Sequence, residues 1–286
     1  MPTPMMSVKL RHVVRVAVVG HVEWLHFARV EAVPLPGQIV RADEWWEEPA
    51  GGGAVAAVQL VKLAGACTFY TALGDDDLGH RSEWELRDRH AVRVQAVFRP
   101  DAQRRAFTFL DRNGERTITV MGTRLGPAGA DPLPWDGMRE TDAVYFTAGD
   151  VEALRRARLA KVLVATSRVM SLLDEAGVRL DAVVGSGRDE SEVYRPIDPA
   201  PAYVVRTAGS DGGDYEGSDG STGHWDAAPL PGPIVDAYGC GDSFAAGLTF
   251  GLGTGLPIDR ALELAARCGA YCLTGKGPYG NQLTLA

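Results

Sequence analysis

The residues Asp236-Ala237-Tyr238-Gly239-Cys240-Gly241-Asp242-Ser243-Phe244 form the pattern that most strongly determines the predicted fold. We predict a short strand at residues 234–235, then a glycine-rich turn and a helix from about Asp242. Unpaired backbone N–H groups at a helix N-terminus, together with the helix dipole, favour a bound anion. The glycines let that anion approach the backbone closely. The segment therefore predicts an anion site made of main-chain atoms.

The aspartate inside this segment, Asp242, has two possible roles. A carboxylate repels an anion that merely binds, but it suits a site that transfers a phosphoryl group. There it accepts the proton of the attacking hydroxyl, while the N–H groups stabilise the charge in transfer. Alternatively, Asp242 only caps the helix, which aspartate does well. The local sequence leaves both roles open.

The rest of the chain alternates short apolar runs with helical segments, which is typical of α/β proteins. We predict a doubly wound, mainly parallel sheet with helices on both faces, formed by residues 1–20, 49–94 and 123–286. Residues 21–48 and 95–122 instead read as antiparallel strands, the second with a turn at its Asn-Gly pair. We expect these two segments to form a small, discontinuous β lid over the ligand-binding edge of the large sheet.

Composition excludes several classes of protein. The chain has 286 residues, of which 45% are hydrophobic, and this is enough for a large buried core. Its net charge of −8 argues against nucleic acid as the main partner. Its four cysteines form no Cys-x-x-Cys pair, so neither a zinc site nor a disulfide framework is favoured. No apolar run of about 18 residues predicts a membrane span, and no secretory signal is expected. A reduced, cytoplasmic setting fits.

Five segments resemble the motifs of ribokinase-like (PfkB-type) carbohydrate kinases, in that family's order. Residues 235–244 resemble the C-terminal signature D-T-x-G-A-G-D-[ST]-F, and residues 51–57 (GGGAVAA) the N-terminal signature G-G-x-x-x-N-x-A. Residues 73–79 (LGDDDLG) are similar to G-x-D-x-x-G, and residues 34–40 (PLPGQIV) to the lid segment L-P-x-P-G-E-x-V. Residues 207–213 (TAGSDGG) are similar to the T-x-G-x-x-G turn that contacts ATP.

The resemblance implies a kinase that uses ATP and Mg²⁺ to phosphorylate a hydroxyl of a sugar-like or nucleoside-like molecule, with a possible homodimer through the lid. It implies the following site residues: Asp242 as catalytic base; Gly239, Cys240 and Gly241 as anion hole; Gly51, Gly52 and Gly53 beside the substrate; and Thr207, Gly209 and Gly212 beside ATP. The alternative is a ligand-binding member of the same fold without catalysis. A dinucleotide-dependent oxidoreductase is disfavoured, because no G-x-G-x-x-G follows the first strand.

The departures from the family pattern fall mostly on the substrate side. Ala56 stands where the family has a sugar-binding Asn, and Leu25 where it commonly has an Asp. A polyol pocket needs fixed hydrogen-bonding groups, so either the substrate is not a typical ribose-like sugar or other residues recognise it. Ala237 replaces a usual Thr, which casts doubt on a monovalent cation beside Asp236.

Polar side chains near the first strand offer alternatives for binding. Glu23 is a candidate acceptor for sugar hydroxyls. A metal site formed by His21, Glu23 and His26 is disfavoured, because strand alternation places residue 26 on the opposite face from the other two. In the magnesium-associated segment, Ser186 and Asp189 are candidates for holding Mg²⁺ through water, although a helix cap explains them equally.

Two pairs of lid residues also have more than one explanation. Trp45 and Trp46 point to opposite sides of one strand, so one suits a lid–lid contact and the other a stack on a ligand ring. Arg104 and Arg105 either meet a phosphate or are simply solvated. Together with the apolar Leu25 and Ala56 positions, the tryptophans slightly favour a ligand with an apolar part, such as a nucleoside.

Overall fold

The computed structural model describes residues 13–285 and contains two sheets, one of nine strands and one of four. The strands are β1 (Val16–Val19), β2 (Glu23–Arg29), β3 (Glu44–Ala50), β4 (Cys67–Gly74), β5 (Arg93–Arg99), β6 (Arg105–Leu110), β7 (Arg116–Met121), β8 (Ala143–Phe146), β9 (Val162–Thr166), β10 (Ala182–Ser186), β11 (Tyr203–Thr207), β12 (Gly213–Gly217) and β13 (Thr222–Trp225). The helices are α1 (Gly52–Ala64), α2 (Asp77–Asp88), α3 (Val151–Ala157), α4 (Met170–Ala176), α5 (Cys240–Gly253) and α6 (Ile258–Leu273).

The large sheet has the strand order β13-β12-β11-β10-β9-β8-β1-β4-β5 and is parallel from β5 to β11. Its central strands are apolar and buried on both faces, as crossover helices require. Helices α1, α5 and α6 contribute to the core on one face, and α3 and α4 to the core on the other. The predicted doubly wound sheet is confirmed. Its antiparallel edge is formed by the β12–β13 hairpin.

The small sheet is the lid, with the order β3-β2-β6-β7. Its strands come from two separate stretches of chain, as predicted, and β2 runs parallel to β6 while the outer pairs are antiparallel. Strand β5 pairs with β4 in the large sheet, so the assignment of residues 95–99 to the lid is wrong. The error arises because β5 is an edge strand that is only partly buried, a pattern also typical of a lid. Strand β3 also continues two residues beyond the predicted boundary, to Ala50.

The strand predicted at residues 234–235 is absent from the structure. The backbone N–H groups of Val235 and Asp236 instead donate to the carbonyl of Leu273 at the end of α6. These donors are satisfied by a helix C-terminus, so no strand partner is needed. Helix α5 begins at Cys240, two residues earlier than predicted.

The lid tryptophans have different surroundings. Trp45 is 72% exposed on the outer face of the lid, whereas Trp46 stacks on Phe27 with ring centroids 4.8 Å apart. Trp24 is fully buried beneath the guanidinium of Arg81. The lid–lid homodimer stays a prediction, with Trp45 as its most exposed aromatic side chain. Within residues 13–285, no helix has the length and apolar character needed to cross a bilayer.

Candidate active site

The residues predicted as base, anion hole and substrate contacts lie where the large sheet, the lid and two helix N-termini converge. His21 follows β1 and Thr147 follows β8, and the His21 Nδ1 lies 3.4 Å from the Thr147 Oγ1. Because β1 and β8 are parallel neighbours, both residues lie at the carboxyl edge of the sheet. Ligands bind at this edge in doubly wound folds.

The three glycines at the start of α1 leave room for the side chains around them. A Cβ on Gly52 would lie 2.7 Å from the Asp242 Oδ1, and one on Gly53 would lie 2.7 Å from the backbone oxygen of His21. Gly51 has a φ of +86° and a Cβ there would lie 3.2 Å from the Glu23 Cγ. The triglycine therefore brings His21, Glu23 and Asp242 together against one helix N-terminus.

The predicted anion hole is the first turn of α5. Gly239 has a φ of +81°, and its carbonyl accepts the N–H of Ser243 at 2.9 Å. The N–H groups of residues 240–242 precede that bond, so they have no partner within the helix. A Cβ on Gly241 would meet nothing within 4 Å, so the space in front of this turn is open. This geometry is suited to an anion.

Asp242 lies in this turn, and its environment controls its charge. Burial raises the pKa of Asp242 to about 6. The positive charges of Arg168 and Arg116 lower this pKa, and the negative charges of Glu192 and Glu23 raise it. The carboxylate is therefore ionised at neutral pH, with a proton affinity well above that of a solvated aspartate. These are the properties of a general base.

The loop before the anion hole is held by backbone and arginine contacts. Asp236 is fully buried and accepts the N–H groups of Tyr238 at 2.8 Å and Gly277 at 3.1 Å. The Tyr238 hydroxyl accepts the N–H of Gly51 at 3.1 Å, which connects this loop to the triglycine. The guanidinium of Arg116, from the lid, donates to the carbonyl of Ala237. The Asp236 carboxylate therefore stabilises the backbone of this loop by accepting its N–H groups.

Glu23 and Arg104 form the acceptor side of the site. Glu23 Oε1 lies 2.9 Å from the Arg104 Nε and 3.8 Å from the His21 Nε2. Burial raises the pKa of Glu23, while the neighbouring arginines lower it. Burial lowers the pKa of His21 to about 3, so its ring is neutral. His26 faces away and lies 3.3 Å from Glu47, as strand alternation predicted. No cluster of three metal-ligating side chains occurs among the residues that the structure describes.

The two apolar departures do not line this site. Leu25 and Ala56 are both fully buried in the core that underlies the triglycine. Of the two lid tryptophans, Trp46 is half-buried and stacks on Phe27, whereas Trp45 is 72% exposed. The slight preference for a nucleoside therefore loses the support of Leu25 and Ala56 and stays a prediction.

The residues predicted to contact ATP and metal lie further along the same edge of the sheet. Thr207 ends β11, and its backbone oxygen accepts the N–H of Gly187 at 2.8 Å. Gly209 and Gly212 form the following turn with positive φ. The Ser186 hydroxyl accepts the N–H of Arg188, and Asp189 is bonded by Ser191 and Arg168. Ser186 and Asp189 thus have local roles in this turn.

Sequence analysis missed four charged residues of the site: Arg116, Arg124, Arg168 and Glu192. Glu192 accepts the N–H of Ser186 at 2.7 Å and pairs with Arg168. The sequence does contain a pattern that points to Glu192: Asp189 and Glu192 form an Asp-x-x-Glu spacing that begins where the magnesium-associated segment ends. The arginines had no such signal, because they come from a lid strand, a loop and a short 3₁₀ helix that only the fold brings together.

Comparison with known proteins decides the family. The model of the pfkB family carbohydrate kinases matches residues 14–177 and 180–284. The chain belongs to the pfkB family of carbohydrate kinases. It is therefore a phosphotransferase of the sugar or nucleoside kinase kind, and the resemblance seen in its motifs is confirmed.

Individual relatives cover nearly the whole chain. The ATP-dependent ribose-1-phosphate kinase of Halopiger xanaduensis is 30% identical over 92% of this chain and 93% of its own length. The aminoimidazole riboside kinase of Salmonella typhimurium is 24% identical over 82% and 86%. The structure of Arabidopsis thaliana ribokinase complexed with ribose and ATP matches with a TM-score of 0.73 and 18% identity, covering 94% and 96%. The likeness to this ribokinase structure shows that the two proteins share a fold.

Gly52→Ala is expected to reduce kcat at least 100-fold without unfolding this pfkB-family protein. The added methyl group would overlap the Asp242 carboxylate, whereas the first position of a helix otherwise accepts alanine. Steady-state kinetics and thermal unfolding measure the two effects. The control is Gly269→Ala in α6, where a Cβ would meet its nearest neighbour at 3.4 Å. Equal activity of both variants would contradict the predicted contact.

The pH dependence of kcat/KM is expected to show an acid limb near pH 6. If Asp242 accepts the substrate proton, it reacts as the carboxylate, and activity falls as the pH drops through its raised pKa of about 6. Arg168→Met removes a positive charge that lowers this pKa, so the limb should move to higher pH. Arg179→Met, at an exposed position outside the site, should leave the limb unchanged. A limb near pH 4 in the wild type would refute this assignment.

Proposed function

We propose that this protein is an ATP-dependent kinase that transfers the γ-phosphoryl group to a hydroxyl of a sugar-like molecule, with Asp242 as general base. The observation that carries the proposal is the position of the Asp242 carboxylate. It lies within the unbonded first turn of α5 and directly against Gly52, on the acceptor side. A base and an anion hole are thus combined in a single turn of helix.

In the proposed reaction, Asp242 accepts the proton of the acceptor hydroxyl. The acceptor oxygen forms a bond to the γ-phosphorus as the bond from that phosphorus to the bridging oxygen breaks, and ADP leaves. The N–H groups of residues 240–242 donate to the phosphoryl oxygens during transfer. Glu23 orients the acceptor by accepting from a second hydroxyl. The lid excludes water, which would otherwise compete as the acceptor.

The nucleotide is proposed to lie along the turn after β11, with its terminal phosphate towards α5. In this proposal Thr207 borders the path at the end of β11, and Gly209 and Gly212, which have positive φ, border it in the turn that follows. Magnesium is held in kinases by one or two carboxylates together with substrate phosphates, and it neutralises phosphate charge. Glu192 suits that role better than Ser186 or Asp189, because its negative charge raises the pKa of Asp242 and its carboxylate is therefore near the proposed transfer site.

The alternative of a ligand-binding protein without catalysis rested on Leu25, Ala56 and the altered magnesium segment. The first two are core residues, and Glu192 supplies a carboxylate near the third. The catalytic interpretation is therefore favoured. The names of the relatives leave the acceptor open, because the substrates in those names are a riboside, a free sugar and a sugar phosphate.

Asp242→Asn is expected to lower kcat by at least about 1,000-fold and to leave ATP binding within a few-fold of the wild type. Asparagine keeps the size of the side chain but cannot accept the proton. The measurement is ADP release with Mg-ATP across free sugars, their phosphate esters, polyols and nucleosides. Turnover by Asp242→Asn at the wild-type rate would exclude Asp242 as base. Absence of turnover by the wild type, with ATP bound, would favour the binding protein.

Activity is expected to be independent of potassium and sodium. The Ala237 carbonyl accepts from Arg116, and both oxygens of Asp236 accept backbone N–H groups, so these residues do not fit a cation site. Replacing KCl by choline chloride at constant ionic strength should leave kcat within about twofold. A loss of activity that potassium restores would contradict the proposed role of Arg116. Arg116→Met is expected to reduce kcat, because the loop that forms the anion hole loses its charged contact.

A further inference from the structure

The acceptor side of the site carries more positive charge than the transfer of a γ-phosphoryl group requires. We call Arg104, Arg124 and Arg168 the arginine cluster. All three act on the pKa values of both His21 and Glu23. Arg168 is neutralised by its ion pairs with Glu192 and Asp189. Arg104 and Arg124 have no comparable set of carboxylates, because both interact with the single carboxylate of Glu23.

Arg104 projects from the inner face of the lid into the site. Its side chain is only 14% exposed, and its Nε lies 2.9 Å from the Glu23 Oε1 but outside hydrogen-bonding geometry. Neither Nη atom of Arg104 bonds to any residue between 13 and 285. A buried guanidinium normally has its donors satisfied. Arg104 is therefore prepared for an acceptor that the protein itself does not supply.

Arg124 lies on a segment that crosses from the lid to the large sheet. The chain leaves β7 at Gly122, whose φ is +90° and whose added Cβ would lie 3.8 Å from the Arg104 Cα. Four residues later, a Cβ on Gly126 would lie 3.0 Å from the backbone nitrogen of Gly149, just beyond β8. The segment thus passes over the same edge where His21 lies. Within the described part of the chain, Arg124 forms no hydrogen bond or ion pair.

The charges around these two arginines do not balance. Burial and the neighbouring charge of Arg104 lower the pKa of Arg124, and Glu23 is the carboxylate that acts against this effect. Two guanidinium groups therefore face one carboxylate, with a neutral His21 beside them. Arg124 is exposed to solvent, so water serves its donors and screens this repulsion in the empty protein. An anionic ligand would offset both positive charges and accept from the donors of Arg104 and Arg124.

We propose that the acceptor is a sugar that already carries a phosphate ester, which Arg124 and Arg104 bind while its free hydroxyl faces Asp242. The inference rests on the proposed function, because it names the acceptor class of the same site. A phosphate monoester has a charge near −2 and three terminal oxygens, so it matches two guanidinium groups that approach from different elements. A carboxylate has one charge and two oxygens, and Arg124 alone would satisfy it.

Binding measured without turnover tests the proposal independently of catalysis. Calorimetry with a non-hydrolysable ATP analogue compares ribose and fructose with ribose 1-phosphate, ribose 5-phosphate, fructose 1-phosphate and fructose 6-phosphate, and with gluconate as a carboxylate. At least one ester is expected to bind about 100-fold more tightly than its free sugar. Arg124→Gln should remove most of that difference, because it weakens binding of the ester far more than binding of the free sugar.

Arg105→Gln is the matched control, because Arg105 is adjacent to Arg104 in sequence but exposed on the opposite face of the lid. It should change neither affinity. Thermal unfolding of all variants confirms that they are folded. Esters that bind no more tightly than free sugars, or an Arg124→Gln variant that weakens both equally, would overturn the proposal. Binding of no member of the panel would also overturn it, and Arg124-dependent binding of gluconate above the esters would replace phosphate by carboxylate.

The same ligands in the ADP-release assay separate this proposal from the proposed function. If an ester binds through Arg124 but no ligand is phosphorylated, the anion pocket stands and the kinase assignment fails. If free sugars are phosphorylated as efficiently as their esters, the kinase assignment stands and the arginine proposal fails. Preferential phosphorylation of an ester, lost in Arg124→Gln mainly through a higher KM, supports both.

Discussion

The close approach of the Asp242 carboxylate to Gly52, which leaves no room for a Cβ, is the constraint on which the site depends. It requires the N-termini of α1 and α5 to meet with no side chain between them. The Tyr238 hydroxyl strengthens this junction by accepting the N–H of Gly51. Because the two helices belong to distant parts of the chain, the base is positioned by the packing of the large core, not by a flexible loop.

The electrostatics of the site depend on this junction. Asp242 must be negative in a turn whose N–H groups attract anions, so the protein sets its proton affinity with charges from several elements. Arg168 and Arg116 favour the ionised form, while Glu192 and burial oppose it. Arg116 belongs to the lid and also contacts the Ala237 carbonyl, so lid and anion hole are connected. A lid side chain therefore both supports the anion-hole loop and favours the ionised form of Asp242.

The sequence predicted the sheet, the two-part lid and the glycine-rich turn well, because each depends on local patterns. It failed where tertiary contacts override them. Strand β5 resembled a lid strand because one edge of the large sheet is partly exposed. Residues 234–235 resembled a strand, yet α6 satisfies their backbone. Leu25 and Ala56 were expected to line a pocket because a motif gives the place of a residue in the chain but not the direction of its side chain. Arg124 had no sequence signal at all, because its interaction with Arg104 and Glu23 arises only in the folded protein.

A structure of the protein with ADP, aluminium fluoride and its acceptor would test the central claim most directly. Aluminium fluoride imitates the phosphoryl group in transfer. The account predicts that it binds to the N–H groups of residues 240–242, with the acceptor hydroxyl about 2.6–3.2 Å from a carboxylate oxygen of Asp242. A hydroxyl directed at another side chain, or aluminium fluoride bound away from the first turn of α5, would contradict it.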